Sequence, residues 1–184
     1  MTTHPKFIAT GWNHINGSLL NIPNDVLEEY PNLLVFYSDF NSEAEIDNLT
    51  QFARHYFANT FMVNMEDLSE DDGPNGPTLD GVKAVKQFIA SHATENMIVS
   101  CNVGVSRTGA TIDYMMSQFG YQIDEQNLEY SNTSFSPNSY MGQLFKQLDP
   151  NFEPAERFFM NPSTGKWTFD YMPVTVDMSQ PIKF

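Results

Sequence analysis

Cys101 is the only cysteine of the 184 residues, and Arg107 follows it after Asn102-Val103-Gly104-Val105-Ser106, a run of small or uncharged residues. A thiol, a guanidinium and a short permissive loop are the parts needed to hold and attack a tetrahedral anion. The backbone N–H groups of Asn102, Val103, Gly104, Val105, Ser106 and Arg107 can turn inward around one anion as a nest. Arg107 offers a planar fork for two oxygens. A helix beginning directly after it adds unpaired donors and a positive dipole end. The same positive field favours the thiolate of Cys101, so the pattern places a nucleophile beneath a bound phosphorus atom. A lone cysteine is more often a buried structural residue. Here the small residues of the loop, Thr108 directly after the arginine, and the flanking elements favour the cradle.

Those flanking elements are legible. Residues 97–101 are a short apolar strand that ends on the cysteine, and a helix starts near Thr108 and runs through Ile112, Tyr114, Met115 and Met116. Upstream, residues 33–37 read as a strand, 43–57 as a helix, 60–65 as a strand, and 78–92 as a helix capped by Thr78. Residues 138–148 form a further helix opened by Pro137-Asn138. Strand and helix alternate, which predicts an α/β fold with a mainly parallel sheet flanked by helices. Residues 157–171 put Phe158, Phe159, Trp167, Phe169 and Tyr171 around Asn161-Pro162-Ser163-Thr164-Gly165, the pattern of an aromatic β-hairpin. The expected division is a domain over 1–150 and a C-terminal extension over 151–184 packed on it.

Composition narrows the function classes. Hydrophobic residues make up 41% and charged residues 17%, as in a folded globular protein. The formal net charge is −14, which repels phosphate backbones and anionic lipid, so neither nucleic acid nor a membrane is an expected partner. There is no run of apolar residues long enough to span a bilayer and no signal-like leader, and one cysteine fits a reducing compartment. A cytoplasmic setting is the expectation. No cofactor is expected and no metal. The acidic segment 66–77 lacks the spacing of a calcium loop, and His4, His14, His55 and His92 are scattered. Nothing in the sequence speaks to oligomeric state.

Cys-Asn-Val-Gly-Val-Ser-Arg-Thr-Gly resembles the signature loop of the protein tyrosine and dual-specificity phosphatase superfamily. A second segment, Phe135-Ser136-Pro137-Asn138-Ser139-Tyr140-Met141-Gly142-Gln143-Leu144, resembles one that runs Ser-Pro-Asn to Met-Gly-Gln-Leu in the MAP kinase phosphatase-like catalytic domain. The resemblance covers residues 30–148. The chain is short for the tyrosine-specific enzymes and lacks Trp-Pro-Asp, which points to the dual-specificity branch.

The resemblance implies hydrolysis of phosphotyrosine, with or without phosphoserine and phosphothreonine, in two steps. Cys101 attacks phosphorus to give a phosphocysteine while an aspartic acid protonates the leaving oxygen. Water then hydrolyses the intermediate with the same aspartate as base. Thr108 is implied as the partner of the sulfur, and Asn138 as a support for the loop. The general acid belongs on a loop upstream of the cysteine, where Asp67, Asp71 and Asp72 are the candidates. Asp67 is favoured because it follows the expected strand 60–65 directly. Ser100 stands where the family usually has histidine. That departure keeps open a pseudophosphatase that binds phosphorylated partners without turnover. A different C-x5-R enzyme, such as a sulfurtransferase, fits Thr108 and Ser136-Pro137-Asn138 less well.

Overall fold

Residues 97–101, Met-Ile-Val-Ser-Cys, carry no charge and no polar alternation, as a strand covered on both faces requires. In the computed structural model, which describes residues 4–12, 19–68 and 75–171, they form β4 (Met97–Cys101), buried along its whole length. The other strands of its sheet are β1 (Lys6–Gly11), β2 (Asn32–Tyr37), β3 (Asn59–Asn64) and β5 (Gln122–Ile123). Their order is β3-β2-β4-β1-β5 and every pairing is parallel. The expected α/β fold with a mainly parallel sheet is therefore the observed one.

Side chains alternate cleanly across this sheet, as strand geometry demands. Phe7, Ala9, Leu34, Phe36, Met97, Val99 and Cys101 join one core. On that face lie α3 (Leu79–Ser91), α4 (Arg107–Phe119) and α5 (Ser139–Leu148), through residues such as Val85, Ile112 and Phe145. Ile8, Leu33, Val35 and Ile98 join the other core, covered by α1 (Asn24–Leu27) and α2 (Glu43–Tyr56). The helices begin where their caps dictate. Ser42 and Glu45 form a reciprocal capping box on α2, and Thr78 and Asn138 accept from the third helical N–H of α3 and α5. Gly120 ends α4 in the left-handed conformation, φ 69°.

The helices expected over 43–57, 78–92 and 138–148 agree with α2, α3 and α5 to within a residue or so at each end, as do the strands expected over 33–37 and 60–65 with β2 and β3. Two strands of this sheet, and β6 (Ser134–Phe135) outside it, had no counterpart in the sequence reading. β1 pairs with β4 along the whole of β4, Phe7 to Gly11 against Met97 to Cys101. Its apolar run, Phe7-Ile8-Ala9, is only three residues long, set between Pro5-Lys6 and Thr10-Gly11. β5 is two residues long and has no periodicity to read.

The aromatic hairpin is present as β7 (Ala155–Asn161) and β8 (Lys166–Tyr171). Its turn is closed by Gly165 N–H donating to the Asn161 carbonyl at 2.8 Å, with Gly165 at φ 64°. A third strand, β6 (Ser134–Phe135), completes a small antiparallel sheet. Phe135 stacks on Phe158 with ring centroids 4.9 Å apart, and both rings are buried in the core that holds α4. Residues 172–184 of the expected extension lie outside the described residues.

Asp113 on α4 ties this sheet to the main one. Its carboxylate is buried and accepts the Ala155 N–H at 2.8 Å. Burial pushes the carboxyl up to about 6, and the Ala155 hydrogen bond offsets only part of that. The folded chain thus holds this proton more tightly than the unfolded chain does. The group's contribution to stability falls as pH rises from its ordinary value of 3.8 to about 6 and is constant above that. Asp113→Asn is expected to stabilise the fold at about pH 7 by on the order of 2 kcal/mol, and by little at about pH 4. Urea unfolding at the two pH values measures the difference.

Candidate active site

β4 ends on Cys101 at a topological switch point. The chain leaves β2 toward the β3 edge and leaves β4 toward the β5 edge, which opens a crevice at their carboxyl ends. The loop 102–106 fills that crevice. Gly104 turns it, at φ 81°, and a Cβ there would lie 2.3 Å from the Thr10 carbonyl carbon. Only glycine fits that backbone and that contact. Gly11 is equally constrained from the other side, since a Cβ on it would lie 2.8 Å from Asn102 O. The loop is seated on the end of β1 with no room for side chains between them.

The turn brings the Gly104 N–H to 3.2 Å from Cys101 Sγ. The thiol is 1% exposed and lies on the α4 face of the sheet. Trp12 holds the strand end, its N–H donating to Cys101 O at 3.1 Å and its indole Nε1 to Phe36 O at 2.9 Å. Arg107 opens α4, is 4% exposed, and donates one guanidinium N–H to Met65 O at 2.5 Å. Its Nε is buried and makes no hydrogen bond, and the same is true of Asn102 Oδ1 and of Thr108 Oγ1. Thr108 therefore does not pair with the Cys101 sulfur as the resemblance implies; the Gly104 N–H does. Unpaired buried polar atoms are costly and uncommon, so two donors and an acceptor of this kind on the loop and at the helix N-terminus mark a site that binds something polar.

Asp67 comes to this loop from the segment after β3. Its Oδ1 accepts from Ser106 Oγ at 2.7 Å and from Asn138 Nδ2 at 2.8 Å. Asn138 also donates to Leu68 O at 2.9 Å, and its backbone N–H donates to Ser106 O at 3.1 Å. The Asp67 residue is exposed. Asp71 and Asp72 lie outside the described residues. Ser100 is fully buried, on the sheet face opposite Cys101, where its hydroxyl reaches the Cys101 carbonyl at 3.5 Å. Val103 is exposed, while Val105 and Ser106 are half-buried. Cys101, Arg107, Thr108, Asp67 and Asn138 are thus brought together around one loop.

Asn132 is the residue that sequence reasoning missed. Its Nδ2 donates to Val103 O at 3.2 Å and Gly104 O at 2.9 Å, while its backbone N–H donates to Ala9 O at 2.7 Å. Holding those two carbonyls outside the loop leaves the adjoining N–H groups to face inward, which is what an anion nest needs. No spacing or pattern marks Asn132 in the sequence, because its role depends on β1 and on the loop it braces.

No family model matches the chain and no curated protein matches it. Among solved structures it is similar to a crystal structure of Tk-PTP in the active form, at 12% identity over 70% of this chain and 84% of that one, with a TM-score of 0.36. It is also similar to a crystal structure of PTPMT1, at 11% identity over 80% of this chain and 99% of that one, with a TM-score of 0.39. At this level of likeness the chemistry rests on the geometry of the loop itself.

Proposed function

We propose that the chain is a cysteine-dependent phosphatase that hydrolyses phosphotyrosine. The observation that carries the reading is the buried trio of Cys101 Sγ, Arg107 Nε and Thr108 Oγ1 at the start of α4, the last two without hydrogen-bond partners. An oxyanion with three outward oxygens satisfies the guanidinium, the loop amides and the helix N-terminus together. The loop adds no cation beyond Arg107, which suits a single phosphoryl group better than a polyphosphate.

Cys101 is the nucleophile in this reading. The Gly104 N–H reaches its sulfur at 3.2 Å, which holds the attacking atom at the base of the cradle. Sulfur attacks phosphorus, and the P–O bond to the leaving group breaks as Asp67 delivers a proton to that oxygen. Asp67 then takes a proton from water as the water attacks the phosphocysteine, and the P–S bond breaks. The Gly104 N–H stabilises the departing sulfur, with the unpaired Thr108 hydroxyl a second donor if it turns toward it. Asn138 and Ser106 orient Asp67 for both steps. Because the thiol is almost wholly buried, a long phosphorylated side chain reaches it more readily than a short one, which favours tyrosine over serine or threonine.

Rapid quenching of a reaction with ³²P-labelled phosphotyrosyl peptide tests the reading. The expected result is a phosphoenzyme that is stable in acid, labile to iodine, and mapped to the peptide containing Cys101. Turnover with label on any other residue overturns the mechanism. Tight binding of the peptide with no turnover supports the non-catalytic binding module instead.

A further inference from the structure

Two apolar side chains are exposed at the carboxyl end of the sheet, Phe40 at 87% after β2 and Val103 at 47% on the loop. Phe40 stands at the tip of the turn after β2. That turn is closed on itself, with Ser38 N–H donating to Asn41 Oδ1 at 3.0 Å and Asn41 N–H donating to Ser38 O at 2.9 Å, and Ser42 then caps α2. The ring is therefore held outward by a fixed backbone, and engaging it costs little conformational entropy. β2 pairs directly with β4, so this turn leaves the sheet about 5 Å, one strand spacing, from the strand that ends on Cys101.

The charge at this end of the sheet is predominantly acidic. Asp39, adjacent to Phe40, is held by the side-chain amides of Asn64 and Asn75. Glu66 and Asp67 follow β3, and Asp80 opens α3. Among the described residues most of the cations lie elsewhere or are engaged. Lys6 starts β1 and Arg54 closes α2, both at the far end of the sheet. Lys86 and Lys146 pair with Asp149 and Glu153. Lys83, one turn into α3, and the exposed Arg157 and Lys166 of the β7–β8 hairpin carry the other positive charges outside the loop. Arg107 is buried inside the loop. A peptide with acidic residues beside its phosphotyrosine would bring like charge to this rim, and a basic one would neutralise it.

We infer that the site selects phosphotyrosyl segments flanked by lysine or arginine, with Phe40 packing on a side chain next to the phosphotyrosine and Asp39 and Glu66 facing the basic residues. The inference rests on the phosphatase reading for its cradle. The unpartnered Arg107 Nε and Thr108 Oγ1 fix where the phosphoryl group sits, and the rim then decides what lies on either side of it.

Two phosphotyrosyl peptides that differ only in lysine or glutamate at the flanking positions test it with the full chain. The lysine peptide is expected to have the higher kcat/KM, by about tenfold or more at low ionic strength, shrinking as salt screens the rim. Glu66→Lys should cut that ratio by about threefold or more, because it reverses one rim charge. Phe40→Ala should raise KM for both peptides and leave their ratio in place. Equal rates, or a preference for the glutamate peptide, overturn the inference. If p-nitrophenyl phosphate and both peptides resist hydrolysis, the phosphatase reading fails and the same two peptides are titrated by fluorescence anisotropy. A preference of about tenfold in affinity for the lysine peptide then keeps the inference for a binding module. Equal affinity, or no binding of either, overturns it.

Discussion

Cys101→Ser is expected to lower turnover of p-nitrophenyl phosphate by more than about 10⁴-fold while tungstate binds within about threefold of the parent affinity. The two halves of that result have different origins. Turnover needs a thiolate, and a serine hydroxyl beside the same Gly104 N–H and helix dipole remains a neutral alcohol and a poor nucleophile. Oxyanion binding needs the loop amides, Arg107 and the end of α4, none of which the substitution removes. The hydroxyl is slightly smaller than the thiol and still accepts from Gly104, so the loop keeps its shape. Stopped-flow hydrolysis and calorimetric titration with tungstate measure the two quantities separately. Activity near the parent level would remove Cys101 from the chemistry. Loss of tungstate binding would mean that the sulfur shapes the loop.

The contrast with Arg107 sharpens the point. Its Nη1 is spent on Met65 O, which ties the loop to the segment carrying Asp67. Its Nε is left for a ligand. A lysine has one nitrogen for both duties, so the two residues that look most alike in charge are not interchangeable here.

How much of this was readable beforehand divides along the range of the interactions. The strand ending on Cys101, the helix after Arg107, and the caps Ser42, Thr78 and Asn138 are local features, set by residues within one turn of each other. Those were legible. Phe7-Ile8-Ala9 is different. It becomes a central strand because β4 and β5 pair on either side of it, and three apolar residues in a polar leader do not announce that. Gly11 and Asn132 matter to the loop for the same reason. One must lack a side chain where the loop crosses β1, and the other reaches across from the segment before β6. Each acts over a contact more than 25 residues distant in sequence. Ser100 illustrates the reverse. Its place before the cysteine suggested a direct influence on the thiol, yet strand alternation puts its side chain on the other face of the sheet. Any effect it has on Cys101 passes through the backbone.

Asp67→Asn should reduce kcat on a phosphotyrosyl peptide by ~10²–10⁴-fold, the scale for losing a general acid or base. The position makes the test unusually clean. Asp67 Oδ1 is fixed by Ser106 Oγ at 2.7 Å and by Asn138 Nδ2 at 2.8 Å. An asparagine oxygen accepts the same two hydrogen bonds, so the loop keeps its geometry and only the exchangeable proton is lost. Oxyanion binding and KM should therefore stay near the parent values while kcat falls, the signature of an interaction used only in the transition state. Leaving groups then separate the two proton transfers. p-Nitrophenolate departs without help, so the first step on p-nitrophenyl phosphate should be nearly unaffected and a burst of p-nitrophenol should precede slow turnover. The tyrosine leaving group is far more basic and should show the loss already in the burst. Asn138→Ala offers the complementary result, because it removes a donor to Asp67 and to Leu68 O, along with the cap of α5, and frees the carboxylate to swing away from the loop. That variant should lower kcat less than Asp67→Asn, and the double variant should be no worse than Asp67→Asn alone, since Asn138 acts through Asp67. A silent Asp67→Asn, with the burst pattern appearing in Asp71→Asn or Asp72→Asn, would move the general acid along the same segment and leave Asp67 as a latch between the loop and α5.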